Sequence, residues 1–143
     1  PSQLWLDWVF VESFGIDVRL TPETANHYYD VMAEKLQSDA FRPRALFDRY
    51  RIEALATTEG ALDDLRHHKK IADDDWEGRV ITTYRPDAIV DPDYEGFRAN
   101  LSLLAEATGA DTTSWEGYLT AHRIRRAYFK DVGGATATDH GHP

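Results

Sequence analysis

Apolar positions recur at helical spacing over residues 3–14, where Leu4, Trp5, Trp8, Val11 and Phe14 form one stripe and Val9 and Phe10 widen it. The large aromatics on this stripe predict burial against a substantial surface, and Gly15 supplies the stop. Thr21-Pro22-Glu23 reads as a helix start: Thr21 caps, Pro22 suits the first helical position and Glu23 complements the N-terminal dipole. That helix is predicted to reach about residue 38, with Ala25, Tyr28 or Tyr29, Met32 and Leu36 facing inward. Pro43 opens a shorter helix carrying Leu46, Phe47 and Tyr50.

After residue 51 the pattern changes. Ile52–Thr57 is a short, mostly apolar run that reads as a strand, and a helix over 61–73 follows with Leu62, Leu65 and Ile71 inside. Arg79–Tyr84 reads as a second strand, stopped by Pro86. A helix over 94–108 presents Phe97, Leu101, Leu104 and Ala105. Thr113-Ser114-Trp115-Glu116 matches a capping box, and its helix runs to about Val132 before Gly133-Gly134. Ala135–Thr138 is predicted as a third strand. Strands alternating with helices imply a parallel sheet with crossover helices. Three parallel strands leave two unpaired edges, so the pattern is expected to be part of a larger α/β structure.

The 143 residues carry 16 Lys plus Arg against 25 Asp plus Glu, a formal net charge of −9. Such acidity argues against a generic nucleic-acid or anionic-membrane binder. No apolar run approaches the ~18 residues of a membrane span. Cysteine is absent, which removes disulfides and thiol chemistry. The expected setting is the cytoplasm. The chain starts at Pro1 and stops at Pro143, ends that read as cuts rather than gene ends.

In parallel α/β folds, chemistry collects at the carboxyl ends of the strands. Three segments qualify. Arg85, between a strand and Pro86, has the planar fork to bind a carboxylate, or it pairs locally with Asp87. Asp139 and His140 place a carboxylate beside an imidazole suited to proton transfer. His140 and His142 share a face of an extended segment, so they form either a two-ligand metal fragment or part of a solvated terminus. Two histidines fall short of the three protein ligands usual in catalytic zinc sites. Thr57, Thr58 and Glu59 offer polar groups, with Thr58 capping the next helix and Glu59 complementing its dipole as the first reading. His67-His68-Lys69-Lys70 reads as a solvated face, His27 and His122 as ordinary helix residues, and Asp73-Asp74-Asp75 as an acidic loop without EF-hand spacing. There is no P-loop, GxGxxG or GxSxG.

Five stretches, taken together and in order, resemble the uronate isomerase (glucuronate isomerase) family. They are Leu4-Trp5-Leu6-Asp7, Phe41-Arg42-Pro43-Arg44-Ala45-Leu46-Phe47, Leu55-Ala56-Thr57-Thr58, Tyr84-Arg85-Pro86-Asp87 and Ala137-Thr138-Asp139-His140-Gly141. The resemblance implies an internal part of an amidohydrolase-like (β/α)₈ barrel, with residues 1–51 a helical insertion and 52–143 a partial barrel holding strands two to four. It implies metal-assisted aldose–ketose isomerisation of D-glucuronate to D-fructuronate and of D-galacturonate to D-tagaturonate. Arg85 becomes the carboxylate holder, Thr57 and Thr58 substrate-binding residues, and Asp139 and His140 catalytic residues at the rim. The family's divalent metal, commonly zinc, is held by a His-x-His of the first strand and an Asp of the last. Neither lies in this sequence, so no metal ligand is assigned here. Glu59-Gly60 stands where the family often carries Asp-Asp. The isolated chain is therefore expected to be inactive and to self-associate through exposed apolar residues. A self-standing, non-enzymatic α/β binding or interaction module is the alternative, expected to be monomeric with a cooperative melt.

Overall fold

The computed structural model describes residues 2–141, so His142 lies outside the described residues. The chain divides into two compact units, Pro1–Ile52 and Glu53–Pro143.

The first unit is helical: α1 (Ser2–Glu12), α2 (Ala25–Leu36), a 3₁₀ turn at Asp39–Phe41 and α3 (Pro43–Arg49). Pro43 occupies the first turn of α3, where its missing N–H costs nothing. The Thr21 start is displaced. Thr24 lies beside the first helical residue, and its hydroxyl accepts from the Thr21 N–H and donates to the Arg19 carbonyl, which holds residues 21–24 in a turn. Tyr28, not Tyr29, is the buried tyrosine of α2. Its ring meets Phe10 edge-on at 4.9 Å and its hydroxyl donates to the Val18 carbonyl. Phe47 and Ile16 are buried, and Phe14 stacks on Phe41 at 5.0 Å. The aromatic stripe of α1 is not covered: Trp5 is 64% exposed and Trp8 52%.

The second unit contains β1 (Leu55–Gly60), α4 (Arg66–Ala72), β2 (Val80–Arg85), α5 (Asp87–Val90), α6 (Phe97–Thr108) and α7 (Trp115–Gly133). β1 and β2 pair in parallel, with Thr57 opposite Thr82, Thr58 opposite Thr83 and Gly60 opposite Arg85. The predicted third strand shrinks to one parallel bridge, Thr138 to Tyr84, held by the Tyr84 N–H on the Ala137 carbonyl and the Asp139 N–H on the Tyr84 carbonyl. The segment leaves α7 through a left-handed Gly134, and the Ala135 N–H still caps the Phe129 carbonyl, so its first residues serve the helix end.

The core lies between the sheet and its helices: Leu65, Tyr84, Ile89, Leu104, Ala121 and Phe129 form one buried cluster. Tyr84 and Phe129 meet edge-on at 5.0 Å. Gly133 lets α7 lie close against β2, since a Cβ there would lie 2.4 Å from Thr82 Cγ2 and 2.9 Å from Leu65 Cδ1. Buried Arg125 ties α7 to the end of β1 by donating to the carbonyls of Ala61 and Asp63, each at 2.7 Å. The cap of α7 is Ser114 rather than Thr113: Ser114 Oγ accepts from the Gly117 N–H at 3.1 Å, while Thr113 is drawn to Asp111.

Candidate active site

Strand alternation decides which side chains meet. Leu55, Thr57 and Glu59 share one face of β1, and their partners Val80, Thr82 and Tyr84 share that face of β2. Tyr84 and Thr82 on this face are the residues met by α7, through Phe129 and Gly133. Thr58 and Gly60 lie on the other face with Thr83 and Arg85.

On that second face four residues form a connected cluster at the carboxyl ends of the strands. Arg85 Nη2 donates to Asp139 Oδ2 at 2.7 Å and Arg85 Nε to the Asp139 carbonyl at 3.3 Å. Thr58 Oγ1 donates to the same Asp139 Oδ2 at 3.0 Å, and Thr83 Oγ1 lies 3.1 Å from Thr58 Oγ1. Arg85 and Asp139, 54 positions apart, are thus brought into contact, and both side chains stay open to solvent, at 45% and 39% exposure. The local pairing of Arg85 with Asp87 is also present but longer, at 3.5 Å.

The guanidinium spends its Nε and Nη2 donors on Asp139. Its Nη1 has no hydrogen bond among the described residues, so the Nη1–Nη2 edge remains open to a second oxyanion. Asp139 likewise takes both its side-chain bonds among the described residues on Oδ2, which leaves Oδ1 able to accept from a hydroxyl. His140 is exposed, with Nε2 3.0 Å from Thr138 Oγ1.

The two adjacent threonines do not share a site. Thr57 faces the opposite way, so the two threonines expected to bind substrate stand on opposite faces of β1. Its hydroxyl lies 2.9 Å from both Glu59 Oε2 and His68 Nε2. The carboxylate has no proton to give, so Thr57 donates to Glu59 and accepts from His68. Glu59 also accepts from Thr82 Oγ1, and His68 Nε2 lies 3.7 Å from the same carboxylate oxygen. The cap and dipole readings of Thr58 and Glu59 fail for the same reason: β1 runs through both, and α4 starts only at Arg66.

His68 departs from its solvated reading, being 9% exposed. Asp87, which the sequence offers as a local partner for Arg85, has a second role. Its carboxylate accepts the Gly141 N–H at 3.0 and 3.1 Å and so pins the segment that carries Asp139. Thr83 was missed, although it stands two places from Arg85 in one strand and therefore on its face. His122 packs its ring 4.5 Å from that of Tyr118. Burial, with Arg126 nearby, holds its pKa below the usual value.

Among the described residues no group of three or more His, Cys, Asp or Glu could hold a metal ion. No helix among them is long and apolar enough to cross a membrane.

Comparison with known proteins follows the same lines. The family model for glucuronate isomerase matches residues 1–142. A uronate isomerase of Mesorhizobium japonicum is 62% identical over all 143 residues, and one of Phenylobacterium zucineum is 58% identical. The chain spans 30% of the length of each. The crystal structure of a glucuronate isomerase from Caulobacter crescentus superposes with a TM-score of 0.93 at 50% identity, over 100% of this chain and 30% of that one. A uronate isomerase from Thermotoga maritima gives 0.87 at 28% identity, over 98% of this chain and 30% of that one. The expected fold class, a partial α/β barrel, stands.

Proposed function

Because this chain belongs to the glucuronate isomerase family, we propose that it supplies the sugar-acid-binding part of a uronate isomerase site. The carrying observation is the open Nη1–Nη2 edge of Arg85, held in place by Asp139 at the mouth of two parallel strands. That edge receives the carboxylate of D-glucuronate or D-galacturonate in bidentate fashion. Asp139 serves twice: Oδ2 orients Arg85, while Oδ1 takes a sugar hydroxyl or the proton that moves between the first two carbons. His140, exposed on the same segment, is the second proton-transfer group. Thr58 belongs to this side and Thr57 does not.

The described residues do not fit a metal site. The divalent metal expected for the reaction takes its ligands from outside them, and no step here is drawn through it. The isolated chain accordingly turns over no hexuronate. The acidic, cysteine-free composition supports a cytoplasmic setting.

The test is a hybrid in which this chain replaces the matched 30% of the Mesorhizobium japonicum relative. The hybrid is expected to isomerise D-glucuronate. Arg85→Gln in it is expected to lower kcat/KM by at least about 30-fold, chiefly through KM, because the substrate carboxylate loses its charged partner. An Arg85→Gln hybrid within about twofold of its parent would overturn the assignment.

A further inference from the structure

Where residues 137–139 meet β2, parallel pairing dictates which bonds should come next. The Tyr84 N–H donates to the Ala137 carbonyl at 3.2 Å, and the Tyr84 carbonyl accepts the Asp139 N–H at 3.0 Å. A parallel ladder repeats every two residues, so residue 86 would next bond the Asp139 carbonyl and the Gly141 N–H. Pro86 does neither. It has no N–H to give, and its carbonyl accepts the Ile89 N–H at 2.8 Å as α5 turns the chain away. Side chains continue the ladder instead. Arg85 Nε donates to the orphaned Asp139 carbonyl at 3.3 Å. The Asp87 carboxylate accepts the Gly141 N–H at 3.0 and 3.1 Å, across 54 positions of chain. Its Oδ2 also lies 3.5 Å from Arg85 Nε. An acidic residue in a first helical turn ordinarily serves the helix dipole, but α5 has only four residues and Asp87 turns both oxygens to Gly141.

We propose that Asp87 is a positioning residue for proton transfer: by supplying the bond to Gly141 that Pro86 does not make, it fixes Asp139 and His140 beyond the end of β2. The backbone of His140 is then held between two anchors, the Asp139 N–H on Tyr84 and the Gly141 N–H on Asp87. Without the second anchor, the last backbone bond of the segment among the described residues is that of Asp139 itself. A proton-transfer group displaced by about 1 Å can lose about 100-fold in rate. Asp87 acts through Asp139 rather than on the substrate, so the inference rests on the reading above that Asp139 takes part in the reaction.

The experiment is steady-state kinetics of variants in the hybrid with the Mesorhizobium japonicum relative. Asp87→Ala is expected to lower kcat by about 10–100-fold with KM within about threefold, because Arg85 Nη2 keeps its bond to Asp139. Asp87→Asn loses the charge but keeps an oxygen that can accept the Gly141 N–H, so its kcat is expected to stay within about threefold of the parent. Amide exchange gives a readout independent of turnover: Gly141 should exchange at least about fivefold faster in Asp87→Ala and at the parent's rate in Asp87→Asn. If Asp87→Ala does not fold, Gly141→Pro removes the same bond from the donor side and should show the same loss of kcat. An unchanged kcat in either variant would overturn the proposal. So would a loss carried by KM, Gly141 exchange that stays slow in Asp87→Ala, or an Asp87→Asn as impaired as Asp87→Ala, which would make the charge the cause. Arg85→Gln separates this inference from the substrate assignment. A lowered kcat in Asp87→Ala beside a silent Arg85→Gln sinks the assignment and leaves the positioning role. A silent Asp87→Ala beside a raised KM in Arg85→Gln does the reverse.

Discussion

Thr57 and Thr58 are adjacent in β1 and share a side-chain type, but the two faces of the sheet give them opposite surroundings. Thr57 sits between Glu59 and His68, a carboxylate 20% exposed and a histidine 9% exposed. Thr58 bonds Asp139, which is 39% exposed, within a cluster that still has unused donors and acceptors. The covered face satisfies its polar groups internally because partial burial limits their access to water. The other face leaves valences open for a ligand. Substitutions on the first face should therefore cost stability, and those on the second should cost function.

The largest effect belongs to the tightest contact of the covered face. Gly133→Ala puts a methyl 2.4 Å from a side chain of fully buried Thr82 and 2.9 Å from Leu65. Neither neighbour has room to yield, so unfolding is expected about 3 kcal/mol earlier, read as a lower urea midpoint. An unchanged midpoint would mean that α7 does not lie against β2 at this distance.

Alkali tests the same face without a mutation. Burial pushes the Tyr84 hydroxyl up from 10.0 to about 12. A raised pKa means the folded state keeps its proton while the unfolded chain releases it. Stability is complete below pH 10 and falls as pH climbs through about 12. In Tyr84→Phe that alkaline slope should flatten, which melts across this range would show.

Thr57→Val comes next. It removes the group that bridges His68 and Glu59, leaving both partly desolvated with one partner fewer. The expected loss is about 1–2 kcal/mol in the same urea assay.

The division between faces was partly legible in the sequence. The period of two in β1 and β2 is readable from the residues alone, and the ends of the strands point to Arg85 and Asp139 as chemistry-bearing residues. The covered-face cluster was not, because α4 begins later than its apolar pattern implies. Asp63 and Asp64 accept the N–H groups of Leu65 and Arg66, and Leu65 turns to a positive φ of 52°. Helical phase is therefore set from Arg66 rather than from residue 61, and His68 turns inward from a run that looks solvated. The cap of α7 moved by one residue for a similar reason, since Asp111 competes for Thr113. Local side-chain to backbone bonds of this kind leave no trace in hydrophobic periodicity. The length of the third strand was illegible for the same kind of reason: the Ala135 N–H caps the Phe129 carbonyl at the end of α7, leaving Thr138 as the one residue bridged to Tyr84.

The smallest stability effect is expected at Thr58, and it makes the sharpest comparison. Thr58→Val keeps the β-branched shape that suits a strand, so β1 loses nothing in local preference. The hydroxyl it removes bonds Asp139 where water can replace it, so stability should change by no more than about 0.5 kcal/mol. Asp139 Oδ2 would then be held by Arg85 alone. In the hybrid enzyme this loosens the carboxylate that orients the guanidinium, and kcat/KM should fall several-fold while Tm stays where it was. Thr57→Val should do the reverse, lowering Tm with kcat/KM preserved in the folded enzyme. If both valines act on Tm alone, the exposed face is ordinary surface and the contrast between the two threonines is one of burial only. If Thr58→Val moves kcat/KM and not Tm, neighbours one residue apart in a single strand divide the work of folding and of binding.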